Sequence, residues 1–233
     1  MGNRLEKTLG LAKAAIASTT PVGAFLVSLW NDSASKFQQE RIDELNIEIE
    51  EFKQKLENII SQEKLKDKHF YEYTQSAMEK MIQERTKEKR IAYRCCILNC
   101  ASNKMSDYDY DIAEMILKKI DAITRTELIV LYFIKDQVYI NPEKEDEIKI
   151  FVENLCKKVD VNKEQLRTLV KHLESENLVE SLSEIIGMIS CETPFFQPSL
   201  VTKTVDKYIT DLGEQLISYI ETPDTKYEKN LLS

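Results

Sequence analysis

Glycine and proline are scarce in this chain, and no other feature restricts its possible folds as much. The 233 residues include five glycines and five prolines. Antiparallel sheet proteins of this length need many tight turns, and those turns depend on these two residues. The sequence therefore predicts a mostly helical protein.

Charge and cysteine content narrow the setting. The formal net charge is −8, with a sequence pI of about 5.1. A domain held mainly by the phosphate backbone is usually basic, so only a local basic face stays open to nucleic acid. The five cysteines are an odd number and no secretory signal is evident, so we expect reduced thiols in the cytoplasm.

The N-terminal segment is apolar but interrupted. Residues 14–31 carry no charge, and a polar stretch with Pro21 breaks them near the middle. A membrane-spanning helix needs about 20 predominantly apolar residues. We expect a helical hairpin buried in protein, with membrane association through residues 8–30 as the alternative. The side chains expected to make either contact are Leu11, Ile16, Val22, Phe25, Leu26, Leu29 and Trp30.

A charged helical stalk is predicted next. Residues 34–66 are predicted to form one long helix, whose apolar side chains follow a spacing of three and four residues. The pattern lasts less than three heptads, which favours a short antiparallel helix pair. We expect this stripe to bind a protein partner or a second copy of the chain, through Ile42, Leu45, Ile49, Phe52, Leu56 and Ile59.

A second helix is predicted over residues 68–102. Residues 80–94 are rich in Lys and Arg, whereas residues 40–57 are rich in Asp and Glu. Antiparallel packing would bring these opposite charges together, and each exposed pair would contribute about 0–1 kcal/mol.

Capping signals divide the second half of the chain. Thr124 and Glu127 form a predicted capping box before an apolar helix over residues 125–136, and Asn162 with Gln165 repeats that pattern further on. Residues 183–200 are predicted to be irregular. A strand returning over residues 201–209 and a last helix that starts at Thr210 and ends at Pro223 complete the predicted order.

The C-terminal part resembles a winged helix. LRTLVKHLESENLV at residues 166–179 resembles the end of a recognition helix that leads into the wing, and TDLGEQL at residues 210–216 resembles the motif that restarts helix after it. The fold class implied is mostly α: a helical bundle and stalk, then a winged-helix domain with a small β wing. The expected domains are 1–33 (apolar hairpin), 34–122 (stalk), 123–222 (winged helix) and 223–233 (loose tail).

A second resemblance rests on EKRIAYRCCILNCA at residues 88–101 and TELIVL at residues 126–131. These segments are similar to a group of bacterial helical proteins that includes the abortive-infection alpha type. The sequence CILNCA departs from that group, which has Leu-Leu-Ala-Asn-Ser there. The resemblance implies a bacterial setting, plausibly phage defence, and no catalytic residues.

The residues needed for catalysis or metal binding do not form a pattern. Cys96 and Cys100 lie four residues apart, but no histidine or second cysteine pair is near them in sequence. His172 is flanked by charged residues and is predicted to be solvated. We expect no catalytic residue, no metal and no cofactor.

Nucleic acid is the remaining ligand class. A winged helix commonly places its recognition helix in the major groove, where Asn, Gln and Arg contact base edges. Glutamates on the same and the preceding helix would repel phosphates. The expected function is a non-enzymatic binding or scaffold component that acts through helix-face protein contacts; a DNA-binding regulator and a membrane-associating effector are the alternatives. The candidate nucleic-acid contacts are Asn162, Lys163, Gln165, Arg167, Thr168, Lys171 and His172.

Overall fold

The computed structural model describes residues 21–26, 39–136, 145–190 and 208–221. Within these ranges the protein is mostly helical, as predicted, and no extended strand is present. The described residues form two compact units. One contains those up to Leu117 together with residues 219–221, and the other runs from Lys118 to Ser218.

Residues 21–26 are helical, and from Gln39 onward the described part of the chain contains nine α-helices and one short 3-10 helix, Lys64–Lys66. In chain order the α-helices are α1 Gln39–Ile59, α2 Lys68–Gln83, α3 Lys87–Ser102, α4 Asp107–Ala122, α5 Arg125–Asp136, α6 Glu145–Val159, α7 Lys163–Ser175, α8 Leu182–Ser190 and α9 Asp211–Ile220.

The first long helix is shorter than predicted. It ends at Ile59 instead of residue 66, and residues 34–38 lie outside the described part. A new helix starts at Lys68 because the Asp67 carboxylate accepts hydrogen bonds from the N–H groups of His69 (2.9 Å) and Phe70 (3.4 Å). These bonds satisfy N–H groups that a helix start leaves unpaired.

The helix predicted over residues 68–102 is two helices, so that prediction was wrong. The Glu84 carboxylate accepts hydrogen bonds from the Thr86 N–H (2.8 Å) and hydroxyl (2.9 Å). Both residues have extended backbone, with ψ of 133°. Local side-chain bonds of this kind compete with the helical bonds, and α3 therefore restarts at Lys87.

The core of the first unit surrounds α3, which packs against α1 and α2. Almost all of the residues of α3 are buried, and these include the charged Lys89, Arg90 and Arg94 near Ile91. The Phe25 ring stacks on Phe70 with centroids 5.9 Å apart and meets Tyr71 edge-on at 5.6 Å. Residues 21–26 therefore belong to this core.

Both predicted capping boxes are confirmed in the second unit. Glu127 Oε2 accepts from the Thr124 N–H (2.6 Å), while Thr124 Oγ1 accepts from the Glu127 N–H (3.2 Å). At α7 the same exchange joins Asn162 and Gln165, at 2.9 Å and 3.0 Å. Each helix start is thus fixed by residues three apart in sequence.

Helices α6 and α7 end in the same way. Asp160 and Asn177 have left-handed backbone, with φ of 54° and 58°. The next N–H in each case donates to the carbonyl five residues earlier: Val161 to Cys156 (3.1 Å) and Leu178 to Leu173 (2.9 Å). Both ends are of the Schellman type. Because α6 ends in this way at Val159, only residues 160–162 connect it to α7.

Of the returning strand predicted over residues 201–209, the described residues contain one antiparallel bridge, between Val179 and Ile209. The expected irregular region begins as a helix, α8, so the prediction was wrong for residues 183–190. Glu174 accepts hydrogen bonds from the Ser183 N–H and hydroxyl at the start of α8, whose apolar side includes the buried Ile186. Residues 191–207 lie outside the described part.

The last helix begins where predicted. The Thr210 hydroxyl accepts from the Gly213 N–H (3.0 Å) and donates to the Asn177 carbonyl (2.7 Å). A Cβ at Gly213 would lie 2.2 Å from the Leu178 carbonyl oxygen. The glycine of the TDLG sequence is therefore required by the close approach of α9 to the end of α7.

Candidate nucleic-acid interface

The apolar stripe predicted to bind a partner is largely covered by the chain itself. Ile49, Phe52 and Leu56 are at most 1% exposed, and α1 packs on α3. Ile59 is 42% exposed, and the Ile42 and Leu45 side chains lie outside the described part. Three of the six candidates are thus core residues of the first unit and are not accessible to a partner in the folded chain.

Ion pairs explain why α1 packs on α3. Arg90 donates to both carboxylate oxygens of Glu48, from Nε at 3.0 Å and from Nη2 at 2.7 Å. Arg94 Nη1 donates to the Glu48 carbonyl at 3.2 Å. The predicted charge attraction between these helices is present, but in buried rather than exposed positions. Because both arginines form hydrogen bonds within the fold, we do not count them as candidate ligand-binding residues.

The described N-terminal residues also contact the core. Val22, Phe25 and Leu26 are at most 9% exposed. The other candidates for membrane or partner contact, Leu11, Ile16, Leu29 and Trp30, lie outside the described residues. In the ranges that the structure describes, no helix combines the length and apolar character needed to cross a membrane.

The thiols of α3 lack the environment of reactive cysteines. Cys96 and Cys100 are both fully buried, and burial raises the pKa of the Cys100 thiol to about 12. A thiol is nucleophilic only as the thiolate, so burial makes this one unreactive. Among the described residues, no group of three or more His, Cys, Asp or Glu side chains is placed to hold a metal ion.

Helix α7 has one buried and one exposed side. Leu166, Val170 and Leu173 are fully buried. Outside this buried side, exposed side chains recur every third residue, and because the helix turns about 100° per residue, each lies about 60° further around its surface. We call this set the α7 stripe; it consists of Asn162, Gln165, Thr168 and Lys171.

The hydrogen bonds of the α7 stripe determine what it presents to a ligand. The side-chain oxygens of Asn162 and Gln165 accept backbone N–H groups in the cap, so their NH₂ groups are directed to solvent as donors. The Thr168 hydroxyl donates to the Glu164 carbonyl at 3.0 Å, which leaves its lone pairs as acceptors. The Lys171 ammonium is exposed.

His172 is only partly solvated, because one side of its ring is paired with a buried carboxylate. Its Nδ1 lies 2.7 Å from Glu127 Oε1, and the Glu127 side chain is 3% exposed against 42% for the His172 ring. Glu127 therefore joins α7 to the start of α5. Their separation of 45 positions in sequence conceals the contact from sequence reasoning, although the capping box had located Glu127.

Arg167 lies between α7 and α8. It is half-buried, and its guanidinium lies against Gly187, a residue of the segment predicted to be irregular. Lys163 is half-buried one turn before it. On α6, Lys157 is exposed close to the turn, whereas the exposed Asp146 lies near the far end of that helix. Near the α6–α7 turn, Lys157, Lys158 and Lys163 stand beside the exposed Asp160 and Glu164, so three cations against two acids leave only a small positive excess.

No protein-family model, curated protein or solved structure matches this chain.

Proposed function

We propose that this chain is a non-enzymatic binding protein and that its ligand is duplex nucleic acid, contacted by the exposed side of α7 in a winged-helix-like second unit. The observation that carries the proposal is the α7 stripe, which offers two exposed amides at the start of α7 and an exposed hydroxyl and ammonium further along, beside the exposed Glu164. Amide donors pair with base acceptors in the major groove, and an ammonium pairs with phosphate.

The helix order supports a winged-helix-like unit. Helices α5, α6 and α7 follow one another, and residues 160–162 form a short turn between the last two with Asp160 in left-handed backbone. Such a turn is typical of helix-turn-helix motifs. The bridge between Val179 and Ile209 stands where a wing would begin and end.

The distribution of charge decides how such binding would behave. The chain as a whole is acidic, and the positive excess near the α6–α7 turn is small, so few counterions would be released. We therefore expect weak binding with a shallow salt dependence. Specificity would depend on the amides of Asn162 and Gln165.

Anisotropy of a short labelled duplex, titrated with the full chain at several salt concentrations, tests the proposal. We expect Lys171→Ala to reduce the slope of log K against log salt by about 1, as the loss of one phosphate contact would. Lys104→Ala is the matched control, because Lys104 is an exposed lysine of the first unit. No binding of the unmodified chain at low salt refutes the proposal.

A protein-binding scaffold is the second candidate, favoured by one observation. Ile47 is 67% exposed on α1, the helix whose apolar stripe predicted a partner. An exposed isoleucine stabilises an association only if the partner covers its side chain. Light scattering would then give a mass above 27.1 kDa for the unmodified chain. Ile47→Ser should lower this mass to the monomer value, whereas the control Gln54→Ser, on the same helix, should leave it unchanged. A monomeric mass for the unmodified chain would exclude the hypothesis of a scaffold that acts by self-association.

The biological setting follows only from the resemblance to abortive-infection proteins. Under that proposal, bacteria that express the chain resist phage better than bacteria that express Lys171→Ala. Equal plaque counts for cells with and without the chain contradict a role in phage defence.

A further inference from the structure

Arg167 lies flat on a glycine. Measured from the position that a Cβ would take at Gly187, the Arg167 Cζ and Nη2 are 3.0 Å away and Nε is 3.1 Å away. Three atoms of one guanidinium at the same distance mean that its plane faces the α8 backbone. A side chain at residue 187 would occupy that space, so the glycine sets where the guanidinium lies.

The charge of Arg167 is not compensated within the described part of the chain. No carboxylate there forms an ion pair with it, and its Nε is buried without a hydrogen-bond partner. Glu164, exposed on the same helix, makes no such pair. A guanidinium has five donors, and buried donors without acceptors cost free energy, so this arrangement favours an anionic ligand.

Neighbouring cations point the same way. Lys163, Arg167 and Lys171 are spaced four residues apart, which places them in one column along α7. Like charges at this spacing repel one another and weaken the helix. An anion bound along the column removes that repulsion, and the column meets the α7 stripe at Lys171.

We infer that Arg167 binds a backbone phosphate of the nucleic acid and that Gly187 is its positioning residue. The inference rests on the proposed function. It adds α8 to the interface and gives Arg167 a backbone contact instead of a base contact. A planar guanidinium forms two parallel hydrogen bonds to phosphate, so its orientation matters in a way that a lysine's does not.

Gly187→Ala separates positioning from folding. The three atoms nearest to the added methyl all belong to the end of a flexible side chain, and alanine is the better helix former, so the unfolding midpoint stays equal or rises. The guanidinium, however, must move. We expect Gly187→Ala and Arg167→Gln each to weaken duplex binding about tenfold at low salt and to lower the salt slope by about 1.

Two further variants make the test specific. Gly187→Ala adds no loss in the Arg167→Gln background, because the group that it displaces is already absent. Arg167→Lys restores part of the salt slope in the Gly187→Ala background, since an ammonium has no plane to collide with the methyl.

The outcomes distinguish this inference from the function on which it rests. If the unmodified chain binds no duplex at low salt, the proposed function fails and the inference fails with it. If the unmodified chain binds but Gly187→Ala keeps the same affinity and slope, only the role of Gly187 is overturned. Independent, additive losses in the double variant overturn it as well.

Discussion

Replacement of Gly213 by alanine is the most demanding test of how the second unit is packed. The new Cβ would lie 2.2 Å from the Leu178 carbonyl oxygen and 2.7 Å from Ile209 Cγ1. Ordinary contact distances would require a shift of about 1 Å, and the neighbour that must move is backbone. The same carbonyl accepts the Thr210 N–H at 3.2 Å, so the shift also strains that hydrogen bond.

The magnitude follows from these contacts. Overpacking costs about 1–3 kcal/mol, and a weakened hydrogen bond adds about 1 kcal/mol. Alanine recovers up to about 1 kcal/mol of helix propensity. We expect Gly213→Ala to lower the free energy of unfolding by about 1–3 kcal/mol, measured by urea denaturation followed by circular dichroism.

Gly187→Ala is the matched control, because the three atoms nearest to its methyl all belong to the end of the Arg167 side chain. It should keep or raise the stability of the chain. Equal stabilities for the two alanine variants would refute the packing described for α9 against the end of α7.

Three further predictions concern other contacts. Arg90→Met leaves the carboxylate of Glu48 buried without its two-bond partner, so urea denaturation should show a loss of about 3–5 kcal/mol; a change near zero would contradict the buried pair. Asp160→Gly should raise stability by up to about 1 kcal/mol because glycine adopts left-handed backbone without strain, whereas Asp160→Ala should lower it; the reverse order would contradict the Schellman-type end of α6. Burial alone would raise the pKa of Asp67, but hydrogen bonds from the Tyr110 hydroxyl and from backbone N–H groups hold it below its ordinary value of 3.8. The stability contributed by Asp67 is therefore complete above that value and is lost as pH falls through the lower folded pKa. Asp67→Asn should flatten the dependence of stability on pH at acid pH, and an unchanged dependence would exclude this role.

Local signals in the sequence predicted local structure well. The capping boxes at Thr124 and Asn162 need only residues three positions apart, and both are present. The charge difference between two neighbouring helices predicted that they would attract, and Arg90 with Glu48 bears this out. The capping signals depend on contacts that secondary structure alone brings together, whereas the charge signal also needs the two helices to pack.

Long-range contacts were not predictable in the same way. The Asn99 side chain donates to the carbonyl of Tyr219 at 2.6 Å, 120 residues away, and nothing in either segment indicates it. The break at Glu84 was missed because glutamate is a good helix former, and its bonds to Thr86 become visible only in three dimensions.

The candidate site was predicted in part. A heptad stripe has the same appearance whether its partner is another molecule or the same chain, so Ile49 and Phe52 were assigned to a partner although the chain buries them itself. On α7 the polar residues of the stripe were predicted from the sequence, because they lie between the apolar residues that face the core. The place of Arg167 depends on Gly187, twenty residues on, in a segment predicted to be irregular.

Backbone amide NMR shifts of the full chain, recorded while a short duplex is added at low salt, test the central claim most directly. The account predicts shifts concentrated at residues 157–171 and at Gly187, with the amides of α1 unchanged. Shifts confined to α1, or none at any duplex concentration, would contradict α7 as the nucleic-acid contact.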